Sequence, residues 1–96
     1  MKKIELIIES LYLSRLIKIF DKNDINGYTI IKDIEGMGER GFKSADEITD
    51  VFKNYYIFTV CEEPKAKIIL EGIKKFMRKY GGKCIVSDVE WLSIHE

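Results

Sequence analysis

The chain has 96 residues, 46% of them hydrophobic and 33% charged, with one proline; this suits a single ordered domain spanning 1–96 and excludes two domains or a low-complexity tail. Sixteen Lys and Arg balance sixteen Asp and Glu, so no global field steers the protein toward nucleic acid or an anionic membrane. No stretch approaches the roughly 18 apolar residues of a spanning helix, and the short run Ile4 to Ile8, interrupted by Glu5, falls short of a signal peptide, so a cytoplasmic, reducing location without membrane insertion is expected.

Residues 2–9 alternate, with Ile4, Leu6 and Ile8 on one face and Lys3, Glu5, Ile7 and Glu9 on the other, which predicts a half-buried strand. Ser10 is placed to cap a helix whose apolar stripe is Leu13, Leu16, Ile17 and Phe20, and Asn23 to Gly27 supplies the turn residues that stop it. Tyr28 to Glu35 alternates again, setting Tyr28, Ile30 and Ile34 opposite Thr29, Ile31 and Asp33. Gly36, Gly38 and Gly41 then break the pattern and open a flexible arm of about residues 36–53.

Tyr55 to Cys61 is rich in β-formers and predicts a third strand. Glu62-Glu63-Pro64 follows, and a proline at the first helical position with acids near the positive helix end favours a start there. Ala66, Ile69, Leu70, Ile73, Phe76, Met77 and Tyr80 mark the buried face of this second helix, and Gly81 can take the left-handed stop. Cys84 to Ser87 is the fourth strand. The order is βαββαβ, an α+β split βαβ plan of the ferredoxin-like kind: a four-stranded antiparallel sheet with both helices on one face.

That plan leaves one sheet face uncovered, and the alternation assigns Ile7, Ile31, Ile57 and Ile85 to it. Burying side chains of this size gains roughly 1.5 to 3 kcal/mol each, so self-association through the face is expected, unless Val89, Trp91 and Leu92 of the C-terminal segment cover it. Seven basic residues between Lys65 and Lys83 against one acid, Glu71, and a mostly acidic stretch from Asp33 to Asp50 read as two oppositely charged solvated faces. Cys61 and Cys84 lack metal-ligand spacing and a nearby histidine, so no metal site is expected and both are read as free, buried thiols.

Catalysis finds no support, because the single histidine is His95 and no serine or cysteine sits in a nucleophile motif. The adjacent acids Asp46-Glu47 and Glu62-Glu63 read as solvation and helix-dipole partners. The run Gly36-Met37-Gly38-Glu39-Arg40-Gly41 suits either a flexible surface loop or an anion site, where glycines admit backbone N–H groups and Arg40 grips phosphate oxygens. Tyr80-Gly81-Gly82-Lys83 is either plain helix-stop chemistry or a second part of that site, met across a subunit boundary with Arg40 and Lys83 converging.

Three segments together carry a resemblance: Ile25-Asn26-Gly27-Tyr28-Thr29-Ile30, the Gly-x-Gly of Gly36 and Gly38 opening a long loop, and Gly81-Gly82-Lys83 before the last strand. In that order they resemble the P-II signalling superfamily over residues 2–92, and most of all its P-II-like regulators associated with bicarbonate transport. The resemblance implies a homotrimer with an adenine nucleotide in each intersubunit cleft and no obligatory cofactor. It implies Gly27 and Thr29 near the nucleoside, Gly36, Gly38 and Arg40 at the base of an effector arm (the T-loop), and Tyr80, Gly81, Gly82 and Lys83 as a phosphate-contacting B-loop. The arm is shorter than in true P-II proteins and lacks their tyrosine modification site, and the chain ends at Glu96 without their arginine-bearing tail. ADP, AMP or cyclic AMP is therefore expected at least as readily as ATP.

Nucleotide binding is expected to order the arm, which docks on a partner, a membrane transporter of bicarbonate or other inorganic carbon, through Phe42, Ile48, Val51 and Phe52. Ser44 with Glu47 forms a capping-box pattern for a helical run to Phe52, either transient or permanently folded. The rivals are a CutA-like structural or metal-handling trimer and an ACT-like small-molecule-binding module.

Overall fold

The computed structural model describes residues 1–38, 41–43 and 53–92. Strands β1 (Lys2–Glu9), β2 (Thr29–Ile34), β5 (Asn54–Cys61) and β6 (Lys83–Asp88) form one sheet in the order β2-β5-β1-β6. Every pairing in it is antiparallel. Helices α1 (Leu13–Lys22) and α2 (Glu63–Tyr80) complete the expected βαββαβ plan. The residues of the sequence-predicted arm add a two-stranded ribbon, β3 (Gly36–Gly38) with β4 (Gly41–Lys43), which periodicity over so few glycine-rich residues does not reveal.

The core lies between the helices and one sheet face. Ile4, Leu6 and Ile8 of β1, Leu16 and Phe20 of α1, and Ile69 and Ile73 of α2 are all 2% exposed or less. Burial of this kind, about 1.5 to 3 kcal/mol per side chain, holds the two layers together. Gly72 lets the helices approach: a Cβ there would lie 3.2 Å from Ile19 Cγ2.

Helix ends follow local chemistry, with one departure. Ser10 does not cap α1; it opens a 3-10 turn, Ser10–Tyr12, and its amide donates to the Lys53 carbonyl at 2.7 Å, tying the end of β1 to the start of β5. At the other end the Asn23 side-chain amide donates to the Ile19 carbonyl at 2.8 Å, and Asp24 takes the left-handed conformation, φ 57°. Helix α2 starts at Glu63, one residue before the expected first position at Pro64, and stops at Gly81, φ 79°, whose amide donates to the Met77 carbonyl at 2.8 Å.

Ile57 is a correction. It pairs with Leu6 and is fully buried beneath the helices, so it does not belong to the open face. Tyr56 stands in its place, opposite Ile7 and Ile31, with Phe58 one pleat further on, opposite Glu5 and Thr29. Ile31 and Ile85 are exposed as expected, at 49% and 58%, so Val89, Trp91 and Leu92 do not cover them. Strand β2 loses its simple alternation after Ile31, where its register shifts and Asp33 adopts φ 56°.

Cys61 is buried, but Cys84 is only half-buried because β6 is an edge strand. Burial pushes both thiols above their ordinary range, so each is a neutral thiol near pH 7. Across the sheet end, the Lys2 ammonium pairs with the Asp88 carboxylate, which holds the lysine up and the aspartate down.

Candidate functional site

Gly27 and Thr29 lie where the chain leaves α1 and enters β2, beside a cavity of about 560 Å³. The cavity is walled by the Ile25–Thr29 segment and by Phe58 to Glu62 of β5 and its exit, with Lys65 and Trp91 at its margin. Thr59 fixes this wall. Its buried hydroxyl donates to the Gly27 carbonyl at 2.5 Å, the sole use of a polar side chain in an otherwise apolar core position among the described residues. Lys65 closes the margin, its ammonium donating to the Asp24 carbonyl at 3.0 Å. Gly27 itself has nothing within 4 Å of where a Cβ would stand, so it presents open backbone to the cavity.

The other two glycine segments lie toward the opposite end of the sheet. Gly36 and Gly38 lie on β3, which follows β2 after Ile34, the partner of Asn54. Thr29 pairs with Phe58 and Ile34 with Asn54, a separation of four residues on β5, or roughly 13 Å. Gly81 and Gly82 precede β6, whose first residue, Lys83, is exposed and pairs with Ile7. Strands β2 and β6 are the two edges of the sheet, three strand spacings apart, or roughly 14 Å. One subunit thus keeps its three glycine segments apart, and no single cleft in the described residues gathers them.

The turn after α2 has a stereochemical reason for its glycines. Gly82, φ 108°, packs so closely on β1 that a Cβ would come within 2.9 Å of the Ile7 carbonyl oxygen. Gly38 pairs with Gly41 at the closing end of the β3–β4 ribbon. Tyr80 is half-buried, its ring 4.6 Å from that of Tyr12 and 5.1 Å from that of Phe76. Phe42 pairs through its backbone with Met37. Arg40, Ile48, Val51, Phe52 and the Ser44–Phe52 run lie outside the described residues.

Sequence reasoning overlooked Thr59, Lys65 and Trp91 as parts of the cavity. The signal for Thr59 was present: a hydroxyl between Ile57 and Cys61, at a position the strand period assigns to the same face. Among the described residues no cluster of three or more His, Cys, Asp or Glu side chains is placed to hold a metal ion, and no helix is long and apolar enough to cross a membrane.

The family model for nitrogen regulatory protein P-II matches residues 1–94. A comparison with the sequences of curated proteins gives no match. Among solved structures, the chain is similar to CPII, a nitrogen regulatory PII-like protein from Thiomonas intermedia K12, bound to ADP, AMP and bicarbonate. The identity is 25% and the TM-score 0.81, over 92% of this chain and 84% of that one. A second structure of CPII with the same ligands gives 26% identity and a TM-score of 0.76, covering 92% and 90%. A PII-like signalling protein from Thermus thermophilus gives 28% identity and a TM-score of 0.72, covering 92% and 85%.

Proposed function

Since the chain belongs to the nitrogen regulatory protein P-II family, we propose that it is a P-II-like signalling regulator, not an enzyme, that binds an adenine nucleotide in clefts between the subunits of a homotrimer. The observation that carries this reading is the separation of the glycine segments. Gly27 and Thr29 border the cavity at one end of the sheet, and Gly36, Gly38 and Gly81 to Lys83 lie at the other. A second copy that brings its far end to the first copy's cavity joins base pocket and phosphate cradle. The exposed Ile31 and Ile85 of the open sheet face favour that association, since burial removes them from water. The structures of CPII with ADP and AMP support the choice of ligand.

In this reading Gly27 and Thr29 receive the nucleoside. Gly36, Gly38 and Arg40 of one subunit, with Tyr80, Gly81, Gly82 and Lys83, receive the phosphates through backbone N–H groups and two cations. Occupancy biases the arm of about residues 36–53 between two states, and Phe42, Ile48, Val51 and Phe52 engage a membrane transporter in one of them. Bicarbonate, present with ADP in the CPII structures, is the first candidate for a second ligand and for the transported species.

Calorimetric titration with ATP, ADP, AMP and cyclic AMP tests the reading. A charge-assisted hydrogen bond contributes about 1.5 to 3 kcal/mol, so Arg40→Ala and Lys83→Ala are each expected to weaken nucleotide binding about tenfold or more. Silence toward all four nucleotides, or a stable monomer in sedimentation, overturns it; silence with a stable trimer points instead to a CutA-like role.

A further inference from the structure

We propose that the helix layer carries a separate anion site, in the groove between α1 and α2, that takes a compact phosphate-bearing group of the di- or triphosphate class. Arg15 and Lys18 are three residues apart on α1, and Lys75 and Lys79 four apart on α2, so each pair shares a helix face. All four line one concavity of about 330 Å³. Its apolar floor is Ile19, Phe76 and Tyr80, and no carboxylate lines it.

The charge is uncompensated as well as concentrated. The neighbouring acids of α2 are turned to other lysines, Glu71 to Lys74 at 3.4 Å and Glu63 to Lys67 at 3.9 Å. Among the described residues none of the four groove cations stands in an ion pair. Like charges at these spacings repel, in a chain whose net charge is zero; an anion in the groove removes that cost. Two of the cations are also held in place, since the Arg15 guanidinium lies 5.2 Å and the Lys79 ammonium 5.4 Å from the centre of the Tyr80 ring.

Size decides the class of ligand. The four cations from two helices line one concavity of about 330 Å³, a space that suits a short chain of phosphates. Tyr80 is common to this groove and to the nucleotide site proposed above, but the four cations belong to neither the Gly27–Thr29 cavity nor the Gly81–Lys83 turn.

The test uses the full chain at 0.15 M salt, saturated with ADP, titrated with inorganic tripolyphosphate and followed by calorimetry and amide chemical shifts. Binding that survives ADP saturation is expected, with shifts centred on Arg15, Lys18, Lys75 and Lys79. Affinity should fall tenfold or more in Lys75→Gln/Lys79→Gln, with Arg15→Glu/Lys18→Glu as an independent variant and ADP affinity unchanged in both. Loss of tripolyphosphate binding on ADP saturation, or an affinity equal to the parent's in either variant, overturns the proposal. Phosphatidic acid vesicles separate the two sources of phosphate: sedimentation with vesicles without binding of soluble tripolyphosphate likewise overturns it, in favour of a surface that reads lipid headgroups. Because ADP binding is measured in the same experiments, failure of this site is distinguishable from failure of the nucleotide reading.

Discussion

Tyr56 of β5 donates its hydroxyl proton to the Glu5 carboxylate of β1 at 2.6 Å, on the sheet face that carries no helix. The bond belongs to a small network. Lys3 lies 3.7 Å from the same carboxylate and 4.8 Å from the centre of the Phe58 ring, which is 5.8 Å from that of Tyr56. The open face is therefore ordered by polar and aromatic contacts between its two central strands, with Ile7 beside Tyr56 and with Ile31 and Ile85 on the edge strands.

The bond to Glu5, reinforced by burial and by the nearby carboxylate charge, pushes the Tyr56 phenol up to about 12. A group whose folded value exceeds its unfolded value of about 10 contributes stability that is fully present below pH 10 and lost as pH rises through 12. Denaturation midpoints measured from pH 8 to 12 should fall over this upper range, and Tyr56→Phe should flatten the fall. Phenolate absorbance should show one tyrosine titrating late in the parent and missing in the variant. Equal alkaline profiles for the two proteins would show that Glu5 does not hold the phenol.

Glycines that look alike in the sequence should respond differently to an added methyl group. Gly82→Ala forces a Cβ to within 2.9 Å of the Ile7 carbonyl at φ 108°, a conformation that costs an L-residue of order 1 to 3 kcal/mol before the clash is relieved. A loss of about 2 kcal/mol or more is expected in urea denaturation. Gly27→Ala meets nothing within 4 Å and should change stability by no more than about 0.5 kcal/mol, so any loss of nucleotide affinity in that variant reports on the cavity and not on folding.

Ile57 and Ile85 form a similar pair. Ile57→Ala removes a fully buried side chain against Leu6 and should cost about 2 to 5 kcal/mol. Ile85, 58% exposed, should cost no more than about 0.5 kcal/mol when truncated in an isolated subunit. If the open face joins subunits, Ile85→Ala instead lowers the midpoint in a concentration-dependent way. Sedimentation and denaturation at two protein concentrations separate these outcomes.

The element order was legible in the residues themselves. Alternation in Lys2 to Glu9, the apolar stripe from Ala66 to Tyr80, and the stops at Asn23 and Gly81 are local properties, and local backbone and side-chain preferences suffice to read them. The facing of β5 was not legible, because Tyr56, Phe58 and Val60 are as apolar as Ile57, Thr59 and Cys61. Only the register with β1, which sets Ile57 against the buried Leu6, decides which set meets the helices. The same division holds for the site. The glycine segments could be recognised one by one from the chain, but a strand period carries no information about distance across a sheet. The tertiary structure alone put Gly27 and Thr29 at one end, Gly36 and Gly82 at the other, and a threonine hydroxyl behind the first pair.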